Sequence, residues 1–370
     1  MLVAPPGTGK TVIATFLIAT RRVSTLVLVH RKPLLDQWVS KLAMFLGISP
    51  GEVGQIVGGK KKQNGCFDVA MIQTLFRDGE AESKLAGYGQ VIVDECHHVP
   101  AFSFERVLKN VKSRFLLGLT ATPQRRDGHH PICEMQPGPL AFAFDAKAEA
   151  YGRPFQHALI PRETEFIASK PDPNIQEIYR ELAQDRSRNN MIIRDVSHSL
   201  GEGRVPLVLT ERKDHLELLA DQLRGVSRHV IVMRGGMAAT AIAAAAVRLS
   251  TLAGSGERVI VATGRYVGEG FDDARLDTLF LTMPVSWKGT LIQYTGRLHR
   301  LHPAKREVRI YDYVDSRIPM LARMFAKRLR GYRSLGYAQG EAPLGFGEID
   351  DDYVLGRDWE DGKSEDEDDS

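Results

Sequence analysis

The amino-acid sequence predicts an α/β protein made of two successive doubly wound units with parallel sheets. Three observations predict it. Short apolar runs rich in Val, Ile and Leu recur without strict alternation, as expected of parallel strands covered on both faces. Longer stretches of helical periodicity separate these runs, the alternation that builds a layered α/β architecture. A Pro-rich stretch without sustained periodicity, Gln136 to Asn174, then divides the runs into two sets.

The first unit is expected over residues 1–140. Met1-Leu2-Val3 supplies the end of a strand, and further strands are predicted at Thr25–Val29, Val69–Ile72, Val91–Val93 and Phe115–Leu119, with a helix at Pro33–Phe45. Residues 141–174 read as a Pro-rich linker with a short extended excursion. The second unit, 175–318, opens with a helical segment over Ile175–Leu200. Strands are predicted at Pro206–Leu209, His229–Val232, Val259–Val261, Thr278–Leu281 and Val308–Tyr311, with helices at Asp214–Arg224 and Ala238–Leu252. A basic amphipathic helix is expected within 319–345, over Met320–Leu335, and a disordered acidic tail over 346–370.

The length of 370 residues suits two domains and a remainder. With 43% hydrophobic and 26% charged residues the composition is that of an ordinary globular protein. No apolar run reaches the roughly 18 residues of a membrane span, and no signal peptide follows Met1. Cys66, Cys96 and Cys133 make neither a disulfide framework nor a metal knuckle, so a reducing, cytoplasmic setting is expected. The net charge of +3 conceals an asymmetry. Residues 348–370 hold 12 acidic and 2 basic residues, which leaves 47 basic and 34 acidic residues in the body. A basic body points to a polyanionic partner for which the tail could compete, or the tail is simply solubilising.

Ala4-Pro5-Pro6-Gly7-Thr8-Gly9-Lys10-Thr11 has the spacing of a phosphate-binding loop, with Ala4 where the strict pattern has Gly. Gly7 and Gly9 permit a tight turn whose N–H groups face a phosphate, and the helix starting near Lys10 adds its positive end. Lys10 brings a charge for the β- and γ-phosphates, and the Thr11 hydroxyl can ligate Mg²⁺. Val91-Ile92-Val93-Asp94-Glu95 is an apolar strand ending in two carboxylates. Beside a phosphate loop, Asp94 is expected to hold Mg²⁺ and Glu95 to polarise the attacking water. The pairs His97-His98 and His129-His130 lack partnered cysteines and are read as ordinary strand-end and loop residues.

From here the residues resemble a superfamily 2 DExH-box helicase, with the motifs in order from about residue 4 to residue 300. Asp94-Glu95-Cys96-His97 resembles the DExH box, and Leu119-Thr120-Ala121-Thr122-Pro123 resembles motif III. The run from Val29 to Trp38 is similar to motif Ia, and Ile72-Gln73-Thr74-Leu75 to the segment near motif Ib. Val208 to Arg212 resembles motif IV. Val261 to Gly264 followed by Gly268 to Asp272 resembles motif V, and Gln293 to Arg300 resembles motif VI. The forms of motifs III and VI are most similar to the branch of XPB-type helicases and restriction-enzyme motor subunits.

The resemblance implies two RecA-like domains, ATP with Mg²⁺ in the cleft between them, and nucleic acid across the top, with double-stranded DNA preferred. It implies Pro6, Gly7, Thr8, Gly9, Lys10 and Thr11 around the phosphates, with Gly270 and Asp272 at the nucleotide and Asp272 on the ribose. Gln293, Arg297 and Arg300 would reach the γ-phosphate from the opposite domain. Arg31, Lys32, Thr74 and Thr263 would contact nucleic-acid phosphates, and Thr120 and Thr122 would couple the two sites. Helicases of this class carry a segment upstream of the phosphate loop, so the chain reads as truncated there, with an apolar helix face left uncovered. A nuclease or other domain would come from a larger polypeptide or a partner. Lys60-Lys61-Lys62 reads as a solvated hairpin tip or a phosphate contact. Arg323, Lys327, Arg328, Arg330 and Arg333 read as a nucleic-acid surface or a plain surface helix, with Phe325 and Tyr332 as packing residues. Two other functions stay open, an inactive nucleic-acid-binding or docking module and a phosphate-loop ATPase acting on proteins.

Overall fold

The structure, a computed structural model, describes residues 1–4, 7–58, 60–78, 85–96, 106–121, 140–144, 152–237, 239–252, 257–264, 273–285 and 288–339. Two sheets organise it. The first contains β1 (Leu2–Val3), β2 (Thr25–Val29), β3 (Gly54–Val57), β4 (Lys60–Lys62), β5 (Phe67–Met71), β6 (Gln90–Asp94), β7 (Phe115–Thr120) and β8 (Phe142–Ala143). Their spatial order is β4-β3-β5-β2-β6-β7-β1-β8, parallel except for the β3–β4 pair. Helices α1 (Lys10–Arg21), α2 (Lys32–Leu46) and α3 (Ile72–Asp78) connect the strands. Alternate residues of β2 serve opposite layers. Leu26 and Leu28 join the core under α3, and Val27 and Val29 join the core under α1 and α2. Burial on both faces is why such strands lack polar alternation.

The second sheet comprises β9 (Gln156–Glu163), β10 (Pro206–Thr210), β11 (Val230–Met233), β12 (Val259–Thr263), β13 (Thr278–Leu281), β14 (Glu307–Val314) and β15 (Ala338–Gln339). Its order is β11-β12-β10-β13-β14-β9-β15, with parallel pairings throughout. The helices are α4 (Ile175–Gln184), α5 (Arg186–Gly201), α6 (Lys213–Leu223), α7 (Ala239–Thr251), α8 (Lys288–Thr295) and α9 (Pro319–Ser334). Both sheets are RecA-like in layering. Among the described residues no helix is long and apolar enough to cross a membrane.

Four expectations are corrected. The stretch read as linker carries β9, which pairs residue by residue with β14 from Gln156↔Glu307 to Glu163↔Val314. Pro161 and the short charged run around it mask the strand in the sequence. The helix expected over Ile175–Leu200 is two helices, because Asp185 turns extended (φ −67°, ψ 113°) and accepts a bond from the Arg188 N–H at 2.7 Å. Its side chain thereby caps α5. Lys60–Lys62 is the return arm of a hairpin rather than its tip. Arg328 is no surface residue. Its guanidinium grips Asp312 at 2.7 and 2.9 Å inside the core, with the Tyr332 hydroxyl on the same carboxylate at 2.8 Å.

Phe325 and Tyr332 are buried, as packing residues should be. On α1 the side chains of Val12 and Phe16 are exposed, an apolar face turned to solvent. The acidic tail lies outside the described residues, as do His97-His98 and His129-His130.

Candidate functional site

The phosphate loop leaves β1 and is anchored at once, the Ala4 N–H donating to the Thr120 carbonyl at 2.9 Å. Thr120 ends β7 and is fully buried, so the start of the loop and the end of the motif III strand are one hydrogen-bonded unit. Gly7 (φ +90°) and Gly9 (φ +84°) take the left-handed conformation that only glycine adopts without cost. Gly9 is the N-cap of α1. No side chain caps this helix and no acid occupies its first turn. An uncapped helix start with no acid beside it is the arrangement that suits an anion.

Asp94 and Glu95 arrive at the end of β6, next to β7. Glu95 has φ +48°, a left-handed backbone in a non-glycine residue. The turn brings its carboxylate to Lys10, with Nζ to Oε1 at 2.9 Å and both side chains mostly buried. Asp94 is fixed through both oxygens. Oδ1 accepts the Glu95 N–H at 3.0 Å and Oδ2 accepts the Trp38 indole N–H at 2.7 Å. Burial pushes the Asp94 carboxyl above its usual range, and the neighbouring Glu95 charge adds to this, against the opposing pull of Lys10 and the Trp38 N–H. A nearby divalent cation would reverse that balance.

The second domain meets this loop directly. A Cβ built on Gly7 would lie 3.5 Å from the His299 Cβ and 3.6 Å from the Gly296 carbonyl oxygen. Gln293 lies in the last turn of α8. Arg297 and Arg300 follow in the turns beyond it, half-buried, on the segment that abuts the loop. Lys305 braces this segment from behind, its buried ammonium donating to the carbonyls of Leu298 (2.7 Å) and Arg300 (2.8 Å). Burial pushes Lys305 down to about 8. The His299 ring bonds the Tyr337 hydroxyl at 2.9 Å.

The remaining expected residues are spread over both domains. Arg31 is the N-cap of α2, and Lys32 follows, exposed and paired with Asp36. Thr74 is buried on α3, and its hydroxyl accepts the Gly58 N–H at 3.2 Å. Thr263 ends β12 opposite Thr210. Next to it, Gly264 sits where a Cβ would come within 1.8 Å of the Tyr294 hydroxyl oxygen. That hydroxyl bonds Glu211 at 2.8 Å, so one contact joins the segments resembling motifs IV, V and VI. Pro6, Thr122, Gly270 and Asp272 lie outside the described residues. Sequence reasoning missed Trp38, Lys305 and the Tyr294–Glu211 pair. Trp38 stands at the end of the motif Ia run, so its position was visible although its partner was not. Nothing in the run around Lys305 signals a buried amine.

Fold and loop together define a phosphate-loop protein of two RecA-like domains. Residues 1–125 match the family model described as type III restriction enzyme, res subunit. Over 142 residues the chain is 31% identical to DNA 3'-5' translocase XPB2 of Sulfurisphaera tokodaii, covering 38% of this chain and 31% of that protein. A protein of Acanthamoeba polyphaga mimivirus, whose name places it among ATP-dependent RNA helicases, is 24% identical over 328 residues, 85% of this chain and 60% of its own length. The chain thus spans less than two thirds of either relative. Among solved structures, S. cerevisiae Dbp5 bound to RNA and ADP BeF3 is similar with a TM-score of 0.63 at 13% identity, covering 92% of this chain and 84% of that one. The Pyrococcus furiosus Hef helicase domain gives a TM-score of 0.57 at 15% identity, covering 88% of this chain and 94% of that one. These similarities are to superfamily 2 helicases of the XPB-like and type III restriction subunit R-like kind, and the family model covers the first domain.

Proposed function

We propose that the chain is an ATP-dependent nucleic-acid helicase or translocase that hydrolyses ATP between its two domains and moves on double-stranded DNA. The observation that carries this reading is the contact of Gly7 with Gly296 and His299, which sets the motif VI segment against the phosphate loop. A Mg²⁺–nucleotide fits the residues present, with left-handed glycines, an uncapped helix start, a lysine and two strand-end carboxylates at one place. Bound Mg²⁺ would neutralise charge on the transferred phosphate. Lys10 would leave Glu95 to hold the β- and γ-phosphates, with Pro6, Thr8 and the loop N–H groups around them. Thr11 and Asp94 would hold the metal. Glu95 would accept a proton from water, Gln293 would orient that water, and Arg297 and Arg300 would face the phosphate. Gly270 and Asp272 would hold the nucleotide.

Arg31, Lys32, Thr74 and Thr263 would grip backbone phosphates, and Thr120 and Thr122 would transmit closure. Phosphate contacts position a strand without reading its sequence. The exposed face of α9 carries Arg323, Lys327, Arg330 and Arg333 at helical spacing, a further basic face that would suit backbone phosphates. The name of XPB2 and the restriction family support DNA, whereas the mimiviral name and the RNA-bound Dbp5 support RNA as the alternative track.

ATP turnover measured with single- and double-stranded DNA and RNA tests the reading. Stimulation by nucleic acid is expected, with a loss of at least ~100-fold in Lys10→Ala and Glu95→Gln. A folded chain that binds nucleic acid but turns over ATP no faster than those variants is instead a binding or docking module.

A further inference from the structure

We infer that Trp38 is a positioning residue that couples nucleic acid at the start of α2 to the metal-holding carboxylate of Asp94. The inference rests on the helicase reading above and adds to it a physical link inside the first domain. Helix α2 begins at Lys32 with Arg31 as its N-cap, and Trp38 lies six residues further along, roughly 9 Å at 1.5 Å per residue. The indole is only 1% exposed, packed in the core that α1 and α2 share with the sheet. Its N–H ends on Asp94 Oδ2 at 2.7 Å, while the Glu95 N–H holds Oδ1 at 3.0 Å. The rotation of the Asp94 carboxylate is therefore set by two donors, one on the residue that follows its own strand and one on α2. The strand donor moves with β6. The α2 donor moves with the helix whose first residues would hold a phosphate backbone. A small displacement of α2 thus reaches Asp94 through one rigid, buried ring, with no flexible side chain in between.

The variant that isolates the link is Trp38→Phe, which keeps an aromatic ring in the core and removes the donor. Binding of a fluorescent, non-hydrolysable ATP analogue is titrated with Mg²⁺, and nucleic-acid affinity is measured with and without the Mg²⁺–analogue. The expected results are a half-saturating Mg²⁺ concentration raised about 10-fold, the scale for removing a partner of a metal ligand, unchanged nucleic-acid affinity without nucleotide, and a nucleotide-dependent change in that affinity reduced towards none. A folded Trp38→Phe protein with wild-type Mg²⁺ dependence and wild-type coupling overturns the inference.

A second measurement covers the case in which that variant does not fold. In a Trp287→Phe/Trp359→Phe background Trp38 is the only remaining tryptophan, since the sequence holds three. Its emission is expected to shift when Mg²⁺ and the analogue are added, and an unchanged spectrum overturns the inference. If the unmodified chain binds neither Mg²⁺–analogue nor nucleic acid, the helicase reading itself fails and the coupling falls with it. If it binds both and only the Trp38 results are negative, the coupling alone fails.

Discussion

At the scale of single residues, the site depends on positions where one atom more or less decides the local geometry. Gly264 is the clearest. The space beside it is filled by the Tyr294 hydroxyl and by Glu211, 2.4 Å from where a Cβ would stand. Gly264→Ala should force that hydrogen bond apart at a cost of about 1–3 kcal/mol. A lower thermal midpoint together with weakened nucleic-acid binding is expected. An unchanged midpoint would show that the space is not fixed. Glu95 is the opposite case, a residue held at φ +48° where glycine would be easier. Its strained backbone aims the carboxylate at Lys10, and such strain is typical of a site where geometry outweighs local comfort.

At the scale of elements, the second domain relies on arginines buried against carboxylates. Arg328 ties α9 to β14 through Asp312 at 2.7 Å, and Arg188 ties α5 to Asp315 at 3.0 Å and to the Thr282 carbonyl at 2.7 Å. Removing one member strands a buried charge, so Arg328→Met should cost about 3–5 kcal/mol, seen as a lower denaturant midpoint. Adding Asp312→Leu should recover part of the loss. A single variant as stable as the parent would show the pair to be dispensable. The outer face of α9 behaves differently. Arg323→Ala/Lys327→Ala/Arg330→Ala should leave stability within about 0.5 kcal/mol. It should also lower the salt slope of nucleic-acid binding by about one per lost phosphate contact. An unchanged slope removes α9 from the interface.

These helices also show what the sequence made legible. The β2 run Thr25–Val29 and the Lys10 and Asp94–Glu95 motifs were readable because burial on both faces and loop chemistry each leave a local pattern. Strand β9 was not, since its pairing with β14 spans some 150 residues of chain and its own run is broken by Pro161. Arg328 looked like its neighbours because a helical count of basic residues does not say which one points inward. The Trp38–Asp94 bond joins residues 56 apart, and no pattern in either segment announces the other.

At the scale of the whole molecule, several histidines are held neutral by burial. His157 is pushed down to about 4 and His215 to about 3, with nearby arginines adding to the effect, and His299 falls well below its ordinary value. Each would be protonated in the unfolded chain below about pH 6.5 but stays neutral when folded. The unfolded state therefore binds more protons between pH 6.5 and about 4, and stability must fall as the pH drops through that window. The slope is at most about 1.4 kcal/mol per pH unit for each histidine. Thermal midpoints measured from pH 7.5 to 5 should decline, and a flat profile would contradict the buried, neutral assignment.

At Gly7 the first domain lies close to the Gly296–His299 turn of the second. Because glycine carries no side chain, the two halves leave room here for a methyl group at ordinary contact distance, the His299 Cβ 3.5 Å and the Gly296 carbonyl oxygen 3.6 Å from where it would stand. The seam at this point is therefore about one methyl group wide, too narrow for any longer side chain. A longer side chain at position 7 would act as a shim. It would wedge the two halves apart, and because the backbone at Gly7 is left-handed (φ +90°) the loop itself would strain with it, so the seam and the phosphate cradle would yield together.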